Sequence, residues 1–183
     1  MRLFRYRLGR YVASFDAVET RVMADLVDQV RSMLATRRTE EPPDPLAVLT
    51  GMVVGPESPP DDPAVARLLP DFHRADAELS SALRMLHEPE LIAAKDAAAV
   101  AMLDSIPRGG GTVRLDEATA RSWAMALNDL RLALGVRLDI VEDDKEPAAA
   151  SAESDSPEFA MYATYRWLSM VQESLVTALM AGS

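Results

Sequence analysis

Over the first fifteen residues apolar positions alternate with polar ones. Phe4, Tyr6 and Leu8 are separated by Arg5 and Arg7, and Tyr11, Ala13 and Phe15 resume the same period after Gly9-Arg10. A two-residue period predicts strands, and Gly9-Arg10 predicts a two-residue hairpin turn with glycine first. After Asp16, a natural N-cap, the period becomes helical. Val18, Val22, Leu26, Val30 and Leu34 recur every four residues, with Met23 and Val27 widening the stripe, so a helix is expected to about Ala35. A second strand–cap–helix unit repeats this order at Thr112–Leu115, Asp116 and a helix to Leu134, with Gly135 as its expected C′ residue. The repetition suggests that the strands of both units pair in one small sheet.

Between these units the pattern is helical. Asp62-Pro63 reads as a cap followed by proline in the first turn of a short helix over Ala64–Leu69. Phe72, Ala75, Leu79, Leu83 and Leu86 predict an inward stripe over Asp71–His87. Glu88-Pro89 is read as a restart, giving a further helix to about Ile106 with Ile92, Ala99, Leu103 and Ile106 inward. Pro107 to Gly111 is a break. A last helix, capped by Ser156-Pro157, carries Phe159, Tyr162, Tyr165, Leu168, Val171, Leu175 and Leu179 on its buried side.

Two stretches resist this reading. Seven prolines lie between Thr39 and Pro63, where only Leu46–Val54 is apolar enough to pack, and the stretch is expected to be a partly mobile connector. Eight acids and one lysine lie between Asp139 and Glu158, a composition expected to be disordered. The resulting expectation is mainly α: one helical domain over residues 1–183, bundle-like, with five to six helices and a minor two- or three-stranded β-element. It is interrupted by a Pro-rich connector at 39–63 and an acidic linker at 139–157.

With 183 residues and 49% apolar content, the chain is large enough to bury a core without cross-links. It has no cysteine, which excludes disulfides, thiolate metal sites and a thiol switch within this sequence. No apolar run approaches the length of a membrane span, and the Met1-Arg2-Leu3-Phe4-Arg5 start lacks the apolar core of a signal peptide. A cytoplasmic protein is therefore expected. The net charge of −10 is unevenly placed: residues 1–38 hold eight arginines against four acids, net +4, and the remainder sums to −14.

Candidate chemistry is sparse. His73 and His87 supply too few ligands for a metal site, and Gly109-Gly110-Gly111 is not followed by the Lys-Ser/Thr of a phosphate loop. No catalytic, metal or cofactor residue is expected, and the chain is not expected to be an enzyme. Two charged features remain. Arg2, Arg5, Arg7 and Arg10 form a basic, aromatic-interleaved ribbon able to contact phosphates. Asn128-Asp129 interrupts the apolar repeat around Trp123, near Arg131 and Arg137; buried, such groups need partners, and an arginine is expected for Asp129. Trp123, Leu127, Leu130 and Leu134 are expected in the core. Met161, Trp167, Met170, Val176 and Met180 extend the apolar surface of the last helix beyond one stripe, which suggests a homodimer through that helix.

The block Trp123 to Leu138 (Trp-Ala-Met-Ala-Leu-Asn-Asp-Leu-Arg-Leu-Ala-Leu-Gly-Val-Arg-Leu) resembles the signature of an actinobacterial domain-of-unknown-function family whose genes lie beside that of the Clp adaptor ClpS. The segments Asp62–Asp71, Arg84–Lys95 and Tyr165–Leu175 agree with it in kind and order. The best-described branch of that family comprises redox-responsive oxidative-stress regulators acting on transcription with an alternative sigma factor through a cysteine pair. The resemblance implies a regulatory role and no catalytic residues. The missing cysteines mean that the disulfide switch is not carried over. The expected function is a non-enzymatic cytoplasmic regulator working through protein–protein contacts, with a sigma factor or polymerase as partner. The alternative is direct DNA binding through the arginine ribbon. A third class, a ligand-sensing bundle, would need an apolar pocket near Trp123 or Trp167.

Overall fold

The computed structural model describes residues 1–39, 54–140 and 148–182. Within them lie β1 (Arg2–Arg7), β2 (Arg10–Phe15), α1 (Ala17–Thr39), α2 (Pro63–Leu68), α3 (Ala77–Ser105), β3 (Gly111–Leu115), α4 (Glu117–Arg137), a 3-10 turn at Ala148–Ser151 and α5 (Pro157–Gly182). The architecture is mainly α with a minor β-element, as the periodicities imply. The sheet is antiparallel in the order β1-β2-β3. The two strand–cap–helix units do pair their strands, from Tyr11 opposite Leu115 to Phe15 opposite Gly111.

The sheet's inner face meets α4 and α5. Phe4 and Phe15 lie against the fully buried Trp123 of α4, with ring centroids 5.6 and 6.1 Å away. On its other sides α4 packs against α1, α2, α3 and α5, making it the central element of the core. Helix starts follow the sequence. Asp16 accepts from Val18 N–H and Glu19 N–H, while its own N–H donates to the Glu19 carboxylate, a reciprocal capping box. Asp62, Asp76 and Asp116 cap α2, α3 and α4, and Ser156 Oγ accepts from Phe159 N–H.

Several expectations are corrected. The hairpin turn is Leu8-Gly9, both at positive φ (49° and 75°), closed by the Arg7–Arg10 pair, so glycine is second. The buried face of α1 is Thr20, Met23, Val27, Val30, Leu34 and Arg37, while Val18 is exposed. A strict four-residue repeat advances 40° per step on a 3.6-residue helix, so the row starts off the core at Val18 and turns onto the core-facing side only by Val30 and Leu34. Only 77–105 of the two helices expected over 71–106 is helical, and it is one helix running through Pro89. Pro89 cannot donate to Met85 O, and Gly55 N–H takes that place at 2.8 Å. Gly55 can approach because it lacks a Cβ, which would stand 2.9 Å from Pro89 Cδ.

The N-terminal half of α3 also buries a different face. Ser80, Arg84 and Glu88 are inside, whereas Leu79 and Leu86 are exposed. Helix α4 continues past Gly135 to Arg137. Asp139, at φ 52°, is the left-handed residue, with Ile140 N–H donating to Gly135 O and Asp139 N–H to Val136 O, the Schellman arrangement.

Most of the Pro-rich connector lies outside the described residues; its described end is hydrogen-bonded to α3 and α1. Ser81 Oγ donates to Glu57 O, and Arg37 Nη2 donates to Ser58 O. Of the acidic linker, 141–147 lie outside the described residues, while Ala148–Ser151 form the 3-10 turn, which packs on α5.

Candidate functional site

Trp123, Asn128, Asp129, Arg131 and Arg137, close together in sequence on α4, do not converge on one another. Trp123 is core, its Nε1–H donating to Ser105 Oγ at 2.7 Å. Asn128 is exposed, so the expected buried Asn-Asp pair is a single buried aspartate. Asp129 pairs with Lys95 of α3 (Nζ–Oδ1, 2.6 Å) and not with an arginine. The reason is geometric: Arg131 and Arg137 lie two and eight residues on, which turns them toward other neighbours. Arg131 donates through Nε to Ser169 Oγ at 2.8 Å and through Nη1 to Gln172 Oε1, with its guanidinium 5.5 Å from the Tyr165 ring centroid. Arg137 reaches Asp62 Oδ2 at 3.2 Å. Each therefore ties α4 to a different element: α3, α5 and the cap of α2. Burial pushes the Asp129 carboxyl above the usual carboxylate range, and the Lys95 hydrogen bond opposes that shift. Of the four expected core positions on α4, Trp123, Leu127 and Leu130 are buried, and Leu134 is half-buried.

A larger charged cluster was not anticipated from the sequence. Glu88, fully buried, accepts from Arg37 Nε at 2.8 Å and from Arg84 Nη1 at 2.9 Å. Arg84 also donates to Asp71 Oδ1 (2.7 Å) and Leu69 O (3.3 Å) and lies 5.8 Å from the Phe72 ring centroid. The available signal was the i,i+4 spacing of Arg84 and Glu88. Pro89 directly after them obscured it by suggesting a helix boundary. This network joins α1, α3 and the segment leaving α2, and its charges are matched among themselves.

The basic ribbon is more organised than its sequence implied. Register puts Arg2 opposite Ser14, Arg5 opposite Val12 and Arg7 opposite Arg10, with a bulge between Arg2 and Arg5. Paired residues share a face, and Tyr11, Ala13 and Phe15 are buried while Arg10, Val12 and Ser14 point outward. The bulge therefore brings Arg2 onto the same outer face as Arg5, Arg7 and Arg10. Arg114 of β3, opposite Val12, joins them as a fifth exposed arginine that sequence reasoning missed. The face is closed at one end by a Ser14 Oγ to Thr112 Oγ1 hydrogen bond of 3.1 Å. Among the described residues, Arg2, Arg5, Arg7 and Arg114 make no ion pair, and Arg10 reaches Asp116 Oδ2 only at 3.9 Å. Asp116 lies below the usual carboxylate range because Thr119 N–H donates to it.

Among the described residues no three His, Asp or Glu side chains gather as a metal site, and no helix is long and apolar enough to cross a membrane. His73 Nδ1 accepts from Asp76 N–H at the start of α3. Trp167 is half-buried, its Nε1–H facing Met1 Sδ. The fold thus defines a small helical scaffold whose interior charges hold elements together and whose concentrated free charge is one sheet face. The chain belongs to the family described as Domain of unknown function (DUF2017), whose pattern matches residues 1–179. It is 40% identical over 176 residues to the putative oxidative stress regulator AosR of Mycobacterium leprae, covering 89% of this chain and 79% of that one. It is 38% identical to the oxidative stress regulator AosR of Mycobacterium tuberculosis (strain H37Rv) over 184 residues, covering 93% and 83%. No solved structure matches the chain.

Proposed function

We propose that this chain is a non-enzymatic, cytoplasmic regulator of an oxidative-stress response that acts by binding a protein of the transcription machinery, a sigma factor or the polymerase. The observation that carries this reading is the likeness, at 38–40% identity over nearly the whole chain, to proteins named oxidative stress regulators. The structure supports it in kind. The buried charged groups, Glu88, Arg84, Arg37 and Asp129, are all engaged in ion pairs, of which Arg37–Glu88, Arg84–Asp71 and Lys95–Asp129 tie separate segments together. The sequence has no cysteine, so an oxidant signal would reach it through its partner or through another group and not through a disulfide of its own.

The test is affinity capture of the tagged chain from its native cells, with and without peroxide, quantifying sigma factors and polymerase subunits against an untagged control. Enrichment of either is the expected result, and its absence in both conditions overturns the reading. The co-facial arrangement of Arg2, Arg5, Arg7 and Arg10 favours one alternative, direct DNA binding. That reading predicts a gel shift whose affinity falls with salt at a log–log slope near about −3.6 per chain for four phosphate contacts. Self-association through α5 is a separate proposal, resting on the exposed Val176 and Met180 one turn apart. A monomeric species in sedimentation at micromolar concentration would overturn it.

A further inference from the structure

We propose that the outer face of the three-stranded sheet docks an extended, acidic segment of a partner protein. This deepens the protein-partner reading above and rests on it. The face is built rather than incidental: the bulge in β1 is what aligns Arg2 with Arg5 and Arg7, and the pairing of β2 with β3 adds Arg114. Five guanidinium groups lie around the half-buried Val12, with the Ser14 and Thr112 hydroxyls at one end. No strand residue on this face is acidic. Each guanidinium offers a planar fork that matches a carboxylate in two parallel hydrogen bonds.

Phosphate offers the same fork, so the choice between a protein and a nucleic acid falls to the surroundings of the face. Carboxylates stand at both ends of it. Asp16 follows β2, with Glu19 next to the chain's amino terminus at 3.7 Å; Asp116 and Glu117 follow β3 at the opposite end. The distance between those ends is about that of a six-residue strand, roughly 20 Å. A segment of about six extended residues fits between them. A duplex is a rigid rod that continues past both ends and would bring its phosphates against those acids. The major groove admits a two-stranded ribbon, and this sheet has three strands. Phe4, Tyr11 and Phe15 are buried on the inner face, and Tyr6, though 40% exposed, pairs with Tyr11 on that side, so no aromatic ring of the sheet lies on the outer face for stacking bases. The chain's net charge of −10 opposes a long polyanion more than a short one.

The experiment measures fluorescence anisotropy of a labelled peptide of about ten residues, alternating Glu and Ser, with the full chain between about 50 and 300 mM NaCl. A labelled random-sequence duplex of about 20 base pairs is measured in parallel. Two variants are compared with the unaltered chain. Arg5→Thr/Arg7→Thr/Arg114→Thr removes three of the five arginines of the face. Arg21→Thr/Arg74→Thr/Arg166→Thr removes the same charge from exposed helix and loop positions. Circular dichroism melting of both establishes that they fold. The expected result is salt-sensitive peptide binding that weakens at least tenfold in the first variant and less than about threefold in the second, with the duplex bound more weakly than the peptide. Peptide binding that is absent, or equal in the two variants, overturns the proposal. A duplex bound more tightly than the peptide through Arg5, Arg7 and Arg114 overturns it in favour of nucleic acid. Either failure leaves the protein-partner reading to be decided by the affinity capture, which does not depend on this face.

Discussion

At the scale of single residues, Leu8 and Asp129 hold positions that residue type alone would not choose. Leu8 is 99% exposed and sits at φ 49° in a turn where both central residues need positive φ. A left-handed conformation costs a side chain with a Cβ about 1 kcal/mol or more, and asparagine tolerates it better. Leu8→Asn is therefore expected to stabilise the fold by about 0.5–1 kcal/mol in urea titrations, because no packing is lost; a destabilisation would show that Leu8 makes a contact in solution. Asp129 is the opposite case, a charge inside the core with one partner. Removing it leaves Lys95 uncompensated in a site only slightly open to solvent. Asp129→Ala is expected to cost about 3 kcal/mol, whereas Lys95→Met/Asp129→Leu should come close to the stability of the original pair. A loss under about 0.5 kcal/mol for the single change would show an exposed pair. The raised carboxyl also fixes a pH dependence. Between the ordinary carboxylate value and the raised one, the folded state holds a proton that the unfolded state has released. Its contribution to stability thus falls as pH rises through that window. Asp129→Asn should remove this part of the slope in melting temperature against pH, and a slope unchanged by the substitution would count against a raised value. Exposed Asp116, lowered by Thr119 N–H, works with the reverse sign: its contribution is present above the ordinary value and is lost as pH falls through the lowered one.

At the scale of elements, α3 shows how a local rule is overridden by tertiary partners. A proline in a helix interior removes one hydrogen bond and crowds the preceding turn, which is why a break at Glu88-Pro89 is the natural reading of the sequence. The helix continues because Gly55 satisfies Met85 O and because Glu88 is held from both sides by Arg37 and Arg84. Those partners are 30, 51 and 4 residues away in sequence from the groups they serve, and no local pattern reports the first two. The same blindness explains the reversed face of α3: an apolar row at Leu79, Leu83 and Leu86 is legible, while a buried Ser80-Arg84-Glu88 row is not, since its cost is met only by distant charges. What depended on near neighbours was legible, namely the strand period and the caps at Asp16, Asp62 and Asp116, though not the one at Asp76; the pairing of the two distant β-α units was suggested only by their repeated order. Two substitutions test this account. Gly55→Ala places a methyl 2.9 Å from Pro89 Cδ and is expected to cost about 1–3 kcal/mol through strain. Glu88→Ala leaves two buried guanidinium groups facing each other and is expected to cost about 3–5 kcal/mol. A smaller effect from Glu88→Ala than from Gly55→Ala would mean that backbone satisfaction, and not the ion network, holds the helix through Pro89.

At the scale of the whole molecule, the two halves of the charge distribution do different work. The interior pairs, Glu88 with its two arginines and Lys95 with Asp129, are shielded from salt by burial. The surface carries the imbalance: a face of five arginines on a chain whose net charge is −10. Four of those arginines were legible as a ribbon from their spacing in sequence. The fifth, Arg114, was not, because only strand pairing places it there, and the alignment of Arg2 depends on a bulge that no residue pattern announces. Such an imbalance has a consequence that does not depend on the partner's identity. Repulsion among the excess acids opposes folding and is screened as ionic strength rises, while surface pairs such as Arg121–Glu117 at 2.6 Å contribute little and are weakened by the same salt. Raising NaCl from about 20 to 200 mM is therefore expected to raise the melting temperature by a few degrees, the equivalent of about 1 kcal/mol for a chain of this size. The Arg5→Thr/Arg7→Thr/Arg114→Thr variant, with three fewer positive charges, should start lower and gain more over the same range. Differential scanning calorimetry of both proteins at the two salt concentrations decides it: a melting temperature that falls with salt would show that surface ion pairs, and not the excess of acids, dominate the electrostatics of the fold.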